Sequence, residues 1–231
     1  MLVAAATCPH PPLLLPGVDP GEGADLAQLR AACLAAVSGL ANAAPDLLVV
    51  VGGSPQVGPF PAEASGSLAA YGVDLRVGAG TPTLPLSLTV GRWLVDEAAP
   101  EVPRLLFGVA VDEEAARCAN LGAGLADRAD RVALLVMGDG SARRSVKGPG
   151  YLDERAAPFD DEVERALSGA DHEALLRLDC TLADALLVAG RAPWQVLAGA
   201  ARAGAGAWQA SVTQAAAPFG VSYLVASWMR G

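Results

Sequence analysis

The sequence predicts an α/β fold, a three-layer αβα arrangement around a central, largely parallel or mixed sheet, in one domain spanning residues 1–231. Three observations lead there. Short apolar runs alternate with Ala/Leu-rich segments of helical period, which is how strands and crossover helices alternate in layered sheets. A run such as Leu47 to Val51 is apolar at consecutive positions, as in strands buried on both faces. An apolar fraction of 52% against 18% charged residues supplies a core that a disordered chain lacks.

In chain order, Leu2 to Thr7 reads as the first strand. A helix from Ala24 to Asn42 follows, with Leu26, Leu29, Cys33, Val37 and Leu40 spaced to share one face. Pro45-Asp46 breaks the chain before a strand over Leu47 to Val51, which ends in Gly52-Gly53-Ser54-Pro55. Leu68 to Val77 predicts a strand, Leu86 to Ala98 a helix, Arg104 to Val111 a strand, Glu113 to Asp127 a helix and Arg131 to Met137 a strand. A polar loop from Gly138 to Ala157 holds Gly148-Pro149-Gly150 and several charges, and loops this long inside a domain are functional or disordered. Helical segments follow over Phe159 to Leu167, Asp171 to Leu178, Leu182 to Ala189 and Trp194 to Arg202. Ala207 to Val212 and Val221 to Trp228 read as closing strands around Pro218-Phe219-Gly220.

A net charge of -9 argues against nucleic acid and against an anionic membrane as partners, because both require clustered Lys and Arg. No run reaches the roughly 18 uninterrupted apolar residues of a membrane helix, and the N-terminus lacks the basic flank of a signal peptide, so a cytoplasmic location is expected. Cys8, Cys33, Cys118 and Cys180 show no Cys-x-x-Cys spacing and read as small buried hydrophobes.

Ligands of open α/β sheets sit beyond the carboxyl ends of strands. Three such loops stand out: Cys8-Pro9-His10-Pro11-Pro12, Gly52-Gly53-Ser54-Pro55-Gln56 and Gly138-Asp139-Gly140-Ser141-Ala142-Arg143-Arg144. His10 reads as a histidine fixed by its proline-rich turn, a metal ligand or a substrate-binding group. His172, after Asp171 at a helix start, reads as a surface residue. In the third loop, glycines allow close backbone approach, and Arg143 and Arg144 present fork donors suited to carboxylate or phosphate. The same charges otherwise form a solvated loop that pairs with Asp153, Glu154, Asp160 or Asp161. No Gly-x-Ser-x-Gly elbow, dinucleotide fingerprint or phosphate-binding Gly-Lys-Ser/Thr loop occurs.

A His in a proline-rich loop after the first strand, Ser54-Pro55 after the second and Gly138-Asp139-Gly140-Ser141 after a later one resemble the class III extradiol ring-cleavage dioxygenases, the LigB-like family. The likeness runs on through Pro158-Phe159-Asp160 and Ala192-Pro193-Trp194. It implies a LigB-like fold and Fe(II) held by two histidines and a carboxylate, with a further histidine as acid-base catalyst. By that correspondence His10 matches the first metal ligand. Gln56 stands where the second belongs, Ala142 stands where the catalytic histidine belongs, and the third ligand falls near Gln214 to Pro218. The chain has only two histidines, His10 and His172, too few for this constellation.

Two expectations result. One is a non-catalytic ligand-binding or regulatory protein holding a small anionic or aromatic ligand among Gln56, Asp139, Ser141, Arg143 and Arg144, with no resident metal. The alternative is a metal-dependent, ring-opening oxidoreductase using His10 with atypical partners such as Gln56, Cys8 or Asp139 around a divalent metal. A homo-oligomer, or a partner subunit that completes the site, is the third arrangement.

Overall fold

The computed structural model describes residues 1–18, 23–204 and 206–231. Its elements in chain order are β1 (Leu2–Cys8), α1 (Ala24–Asn42), β2 (Leu47–Gly53), β3 (Gly58–Phe60), β4 (Gly66–Ser67), β5 (Arg76–Val77), α2 (Leu86–Ala98), β6 (Arg104–Val109), α3 (Ala115–Ala126), β7 (Val132–Met137), α4 (Ala156–Ser168), α5 (His172–Leu176), α6 (Cys180–Ala185), α7 (Arg191–Arg202), β8 (Trp208–Ala216) and β9 (Tyr223–Arg230).

The continuous apolar runs became the centre of a mixed sheet of order β3-β6-β2-β7-β1-β9-β8. β6, β2, β7 and β1 run parallel, while β3 and β9 are antiparallel to their inner neighbours. Side chains of a strand alternate between faces, and both faces of β7 are covered. Val132, Leu134 and Val136 enter one core with α3 and α4–α7, and Ala133, Leu135 and Met137 enter the other with α1 and α2. These are the three layers that the sequence predicts. Each large aliphatic side chain so buried contributes about 1.5–3 kcal/mol, which leaves no tolerance for polar residues in these runs.

Helix α7 lies deepest. Trp194 is buried and its indole N–H donates to Thr7 Oγ1 of β1 at 2.9 Å. Glycines allow this depth: a Cβ on Gly199 would strike the Ala119 backbone of α3, and one on Gly190 would strike the Trp194 ring. The chain can approach that closely only where there is no Cβ.

Several expectations need correction. Leu68 to Val77 is not one strand: a 3₁₀ turn over Ala69–Tyr71 closes at Gly72 with φ 77°, and only the flanking β4 and β5 pair. β3 went unforeseen because three residues, Gly58, Pro59 and Phe60, carry no readable period. The helix expected over Leu182 to Ala189 runs over Cys180–Ala185 instead, opened by Asp179 accepting from Leu182 N–H and ended before Leu187, which turns left-handed at φ 57°. The segment from Gly138 to Arg155 is irregular but tied down, as described below. Helix α1 is long and apolar enough to match a membrane span by length and composition, and its apolar side (Leu29, Cys33, Val37 and Leu40) packs into the sheet core.

Candidate functional site

Because β6, β2, β7 and β1 are parallel neighbours, the loops that follow them share one edge of the sheet. β1 leads to α1 on one face and β7 leads to α4 on the other, so the chain parts between them and a crevice forms at the carboxyl end. His10 and Asp139 flank it. The His10 backbone N–H donates to Asp139 Oδ1 at 2.8 Å, whereas His10 Nδ1 stands 3.6 Å from the same oxygen, too far for a hydrogen bond. That nitrogen is buried and has no hydrogen-bond partner. Beneath this pair the Cys33 thiol is pushed well up in pKa, first by its hydrogen bond with Cys8 and then by burial, with the Asp139 charge adding to both. Burial, again with Asp139, also raises the Tyr223 phenol.

Most polar groups in the rest of the third loop are taken up by structure, although Arg143 Nε is buried with no hydrogen-bond partner. Buried Asp160, on α4, accepts from Ser141 N–H at 2.8 Å and Ser141 Oγ–H at 2.6 Å, and pairs with Arg144 at 3.0 Å. Arg143 donates to the Gly150 carbonyl at 2.6 Å. Ala142 N–H donates to the Leu186 carbonyl, and the Ala142 carbonyl accepts from Gly150 N–H, each at 3.0 Å. The two arginines therefore do not converge on one vacant fork for an anion.

Gln56 follows β2, separated from β1 by β7, so the strands carrying Gln56 and His10 stand about 10 Å apart at usual strand spacing. The Gln56 side chain is exposed, and its backbone N–H donates to Ser54 Oγ at 3.1 Å. His172 begins α5 beside Glu173, on an element remote in the topology from the β1 loop. Among the described residues no cluster of three His, Cys, Asp or Glu side chains is placed to hold a metal ion. The donor set does not fit an Fe(II) site of two imidazoles and a carboxylate.

The open volume lies elsewhere on this edge. A cleft of about 620 Å³ opens beyond β6 and is walled by Val111, Asp112, Cys180, Thr181, Asp184, Leu187 and Arg191. It continues through about 360 Å³ beside Ser54 and Pro55, and then about 300 Å³ bordered by Gln56, Phe60 and Leu84. His10 and Asp139 line none of the three. Arg191 is buried and its donors are taken by the carbonyls of Glu113 and Val111 and by Gln195 Oε1, so it offers no free charge. The charged groups facing the main cleft are Asp112 and Asp184, both exposed. Behind it, burial pushes the Cys118 thiol up to about 11. Val111 and Leu187 are large apolar side chains left 55% and 48% exposed at its mouth, and Leu187 holds φ 57°. Sequence reasoning missed this cleft. The signal was weak: the strand expected over Arg104 to Val111 ends in fact at Val109, so Val111 and Asp112 lie in the loop after it, with no distinctive residue to single it out.

No family model matches the sequence, and neither does any curated protein. Among solved structures, the crystal structure of an uncharacterized protein from Escherichia coli is similar, with a TM-score of 0.60 and 14% identity over 98% of this chain and 99% of that one. At that identity the likeness is one of fold.

Proposed function

We propose that the chain is a small-ligand-binding or regulatory protein built on the plan of the LigB-like dioxygenases without their metal chemistry. The observation that carries the reading is the roughly 620 Å³ cleft on the sheet edge where such folds bind ligands, within the range of small-molecule sites. The resemblance puts a neutral amide, Gln56, and a methyl group, Ala142, where iron chemistry needs imidazoles. Of the two ligand types considered, the cleft suits the aromatic one better than the anionic one. Its walls offer Val111, Ala183, Leu187 and Val188 for a ring, and its charges are carboxylates.

The test is a panel of small phenols and aromatic amides titrated by calorimetry, with Val111→Trp and Ala189→Trp filling the cleft. At least tenfold weaker binding in both variants is expected. Cleavage of a catechol by the pure protein with Fe(II) would overturn the reading.

The buried, unpartnered Nδ1 of His10 near Asp139 favours a second reading. In it a divalent metal binds these two donors together with an atypical third, and the chain is a ring-opening oxidoreductase. Stoichiometric metal that is lost in His10→Ala would establish that reading, and equal metal content in wild type and variant would end it.

A further inference from the structure

The two edges of the sheet are built differently. β3 closes one side with three residues, and Pro59 at its middle has no N–H to offer a further strand. β8 closes the other with nine residues, and among the described strands it pairs only with β9. A long edge exposes a row of unpaired N–H and C=O groups, which proteins ordinarily guard with charge, proline or a covering element. Trp208–Ala216 contains neither a charged residue nor a proline, and no charged side chain occurs between Arg202 and Arg230.

We propose that β8 pairs antiparallel with β8 of a second copy of this chain about a two-fold axis, joining the two sheets into one. Three observations select a second copy. A strand running antiparallel to itself is its own complement, as a two-fold interface requires. The chain carries a net charge of -9, so two copies repel over most surfaces, and this charge-free stretch lets them meet without opposed carboxylates. Trp208, Ala210 and Val212 are half-buried against the α4 side of the sheet, with the Arg230 guanidinium 4.6 Å over the Trp208 ring, and leave apolar area to be covered further, while Gln209 and Ser211 face solvent on the other side, where amides and hydroxyls pair with their like.

The register shift between Val212 and Gln214 kinks the strand and confines the new ladder to Trp208–Val212. Ala210, at the centre of that span, then lies on the axis, and Gln209 of each copy stands opposite Ser211 of the other.

That register sets the test, sedimentation equilibrium on the full chain across micromolar concentrations. The wild type is expected at twice the chain mass of 23.3 kDa. Gln209→Lys/Ser211→Lys sets like charges opposite each other twice and is expected at the single-chain mass with unchanged circular dichroism, since both side chains are exposed. Gln209→Lys/Ser211→Asp sets opposite charges there and is expected to remain a dimer. A wild type that stays monomeric throughout, a Lys/Lys variant that keeps the dimer mass, or a Lys/Asp variant as monomeric as the Lys/Lys one would each overturn the proposal.

Discussion

The crevice between β1 and β7 and the cleft beyond β6 lie on one sheet edge and are finished in opposite ways. At the first, polar atoms turn inward: Asp139 takes the His10 N–H, and Asp160 collects Ser141 and Arg144. At the second, Arg191 is spent on backbone carbonyls and Gln195 behind the wall, while Val111 and Leu187 stand in solvent. Buried polar groups cost free energy unless they are paired, so the first region is a structural joint. An apolar cleft with satisfied walls has room to exchange water for a ligand. Of the residues most suggestive of chemistry in the sequence, Asp139, Ser141 and Arg144 are thus employed in holding the chain together, while His10 Nδ1 and Arg143 Nε are buried without hydrogen-bond partners.

The largest effect that would separate the two regions is loss of the joint. Asp160→Ala strips the charge partner from Arg144 and orphans Ser141 N–H, and it is expected to cost about 3–5 kcal/mol in urea unfolding. Asp184→Ala at the cleft is expected to stay within about 0.5 kcal/mol. Comparable losses would erase the distinction.

Alkaline pH gives the next effect. The Cys118 thiol titrates at about 11 when folded against 9.0 when unfolded, so the folded state holds its proton more tightly. Its stabilisation is complete below pH 9 and drains away as pH rises through 11, by on the order of 2 kcal/mol. Cys118→Ala should remove the share of this slope that belongs to the cleft wall. Cys33→Ala and Tyr223→Phe should remove the share of the crevice, where the Cys8 hydrogen bond and then burial raise Cys33, and burial raises Tyr223. Unchanged slopes between pH 9 and 11 in all three variants would contradict this account.

A smaller effect tests whether the cleft holds strain. Leu187 sits at φ 57°, where a Cβ is unfavourable, so Leu187→Gly is expected to stabilise by about 1 kcal/mol in thermal unfolding while weakening ligand binding. Smallest of all, Gln56→Ala is expected within about 0.5 kcal/mol of wild type, because the side chain is exposed.

The layers of the fold were legible because Leu47–Val51 and Val132–Met137 carry their burial in consecutive apolar residues, and because α1 repeats Leu29, Cys33, Val37 and Leu40 at helical spacing. The short pieces were not: β3 has no period to read, and the end of α6 depends on a left-handed Leu187 that no residue type announces. At the site, the sequence placed His10 and Asp139 in loops after strands that could line one cleft, but their contact depends on β7 lying beside β1, a strand order that no residue pattern announces. The sink for Arg144 was named only as one of four acids, since Asp160 was separated from Asp161 by helix phase alone. The cleft itself was invisible because its wall is assembled from Val111, Cys180 and Leu187, which are far apart in sequence and individually ordinary.

On the proposed function, ligand enters the cleft beyond β6 and not the crevice beside His10. Methyl-resolved NMR during titration with the tightest-binding aromatic of the panel tests it most directly. Shifts are predicted at Val111, Leu187 and Val188, with those of Ala4 and Ala6 in β1 unmoved. Shifts concentrated at the β1 alanines that appear only when Fe(II) is added would contradict it.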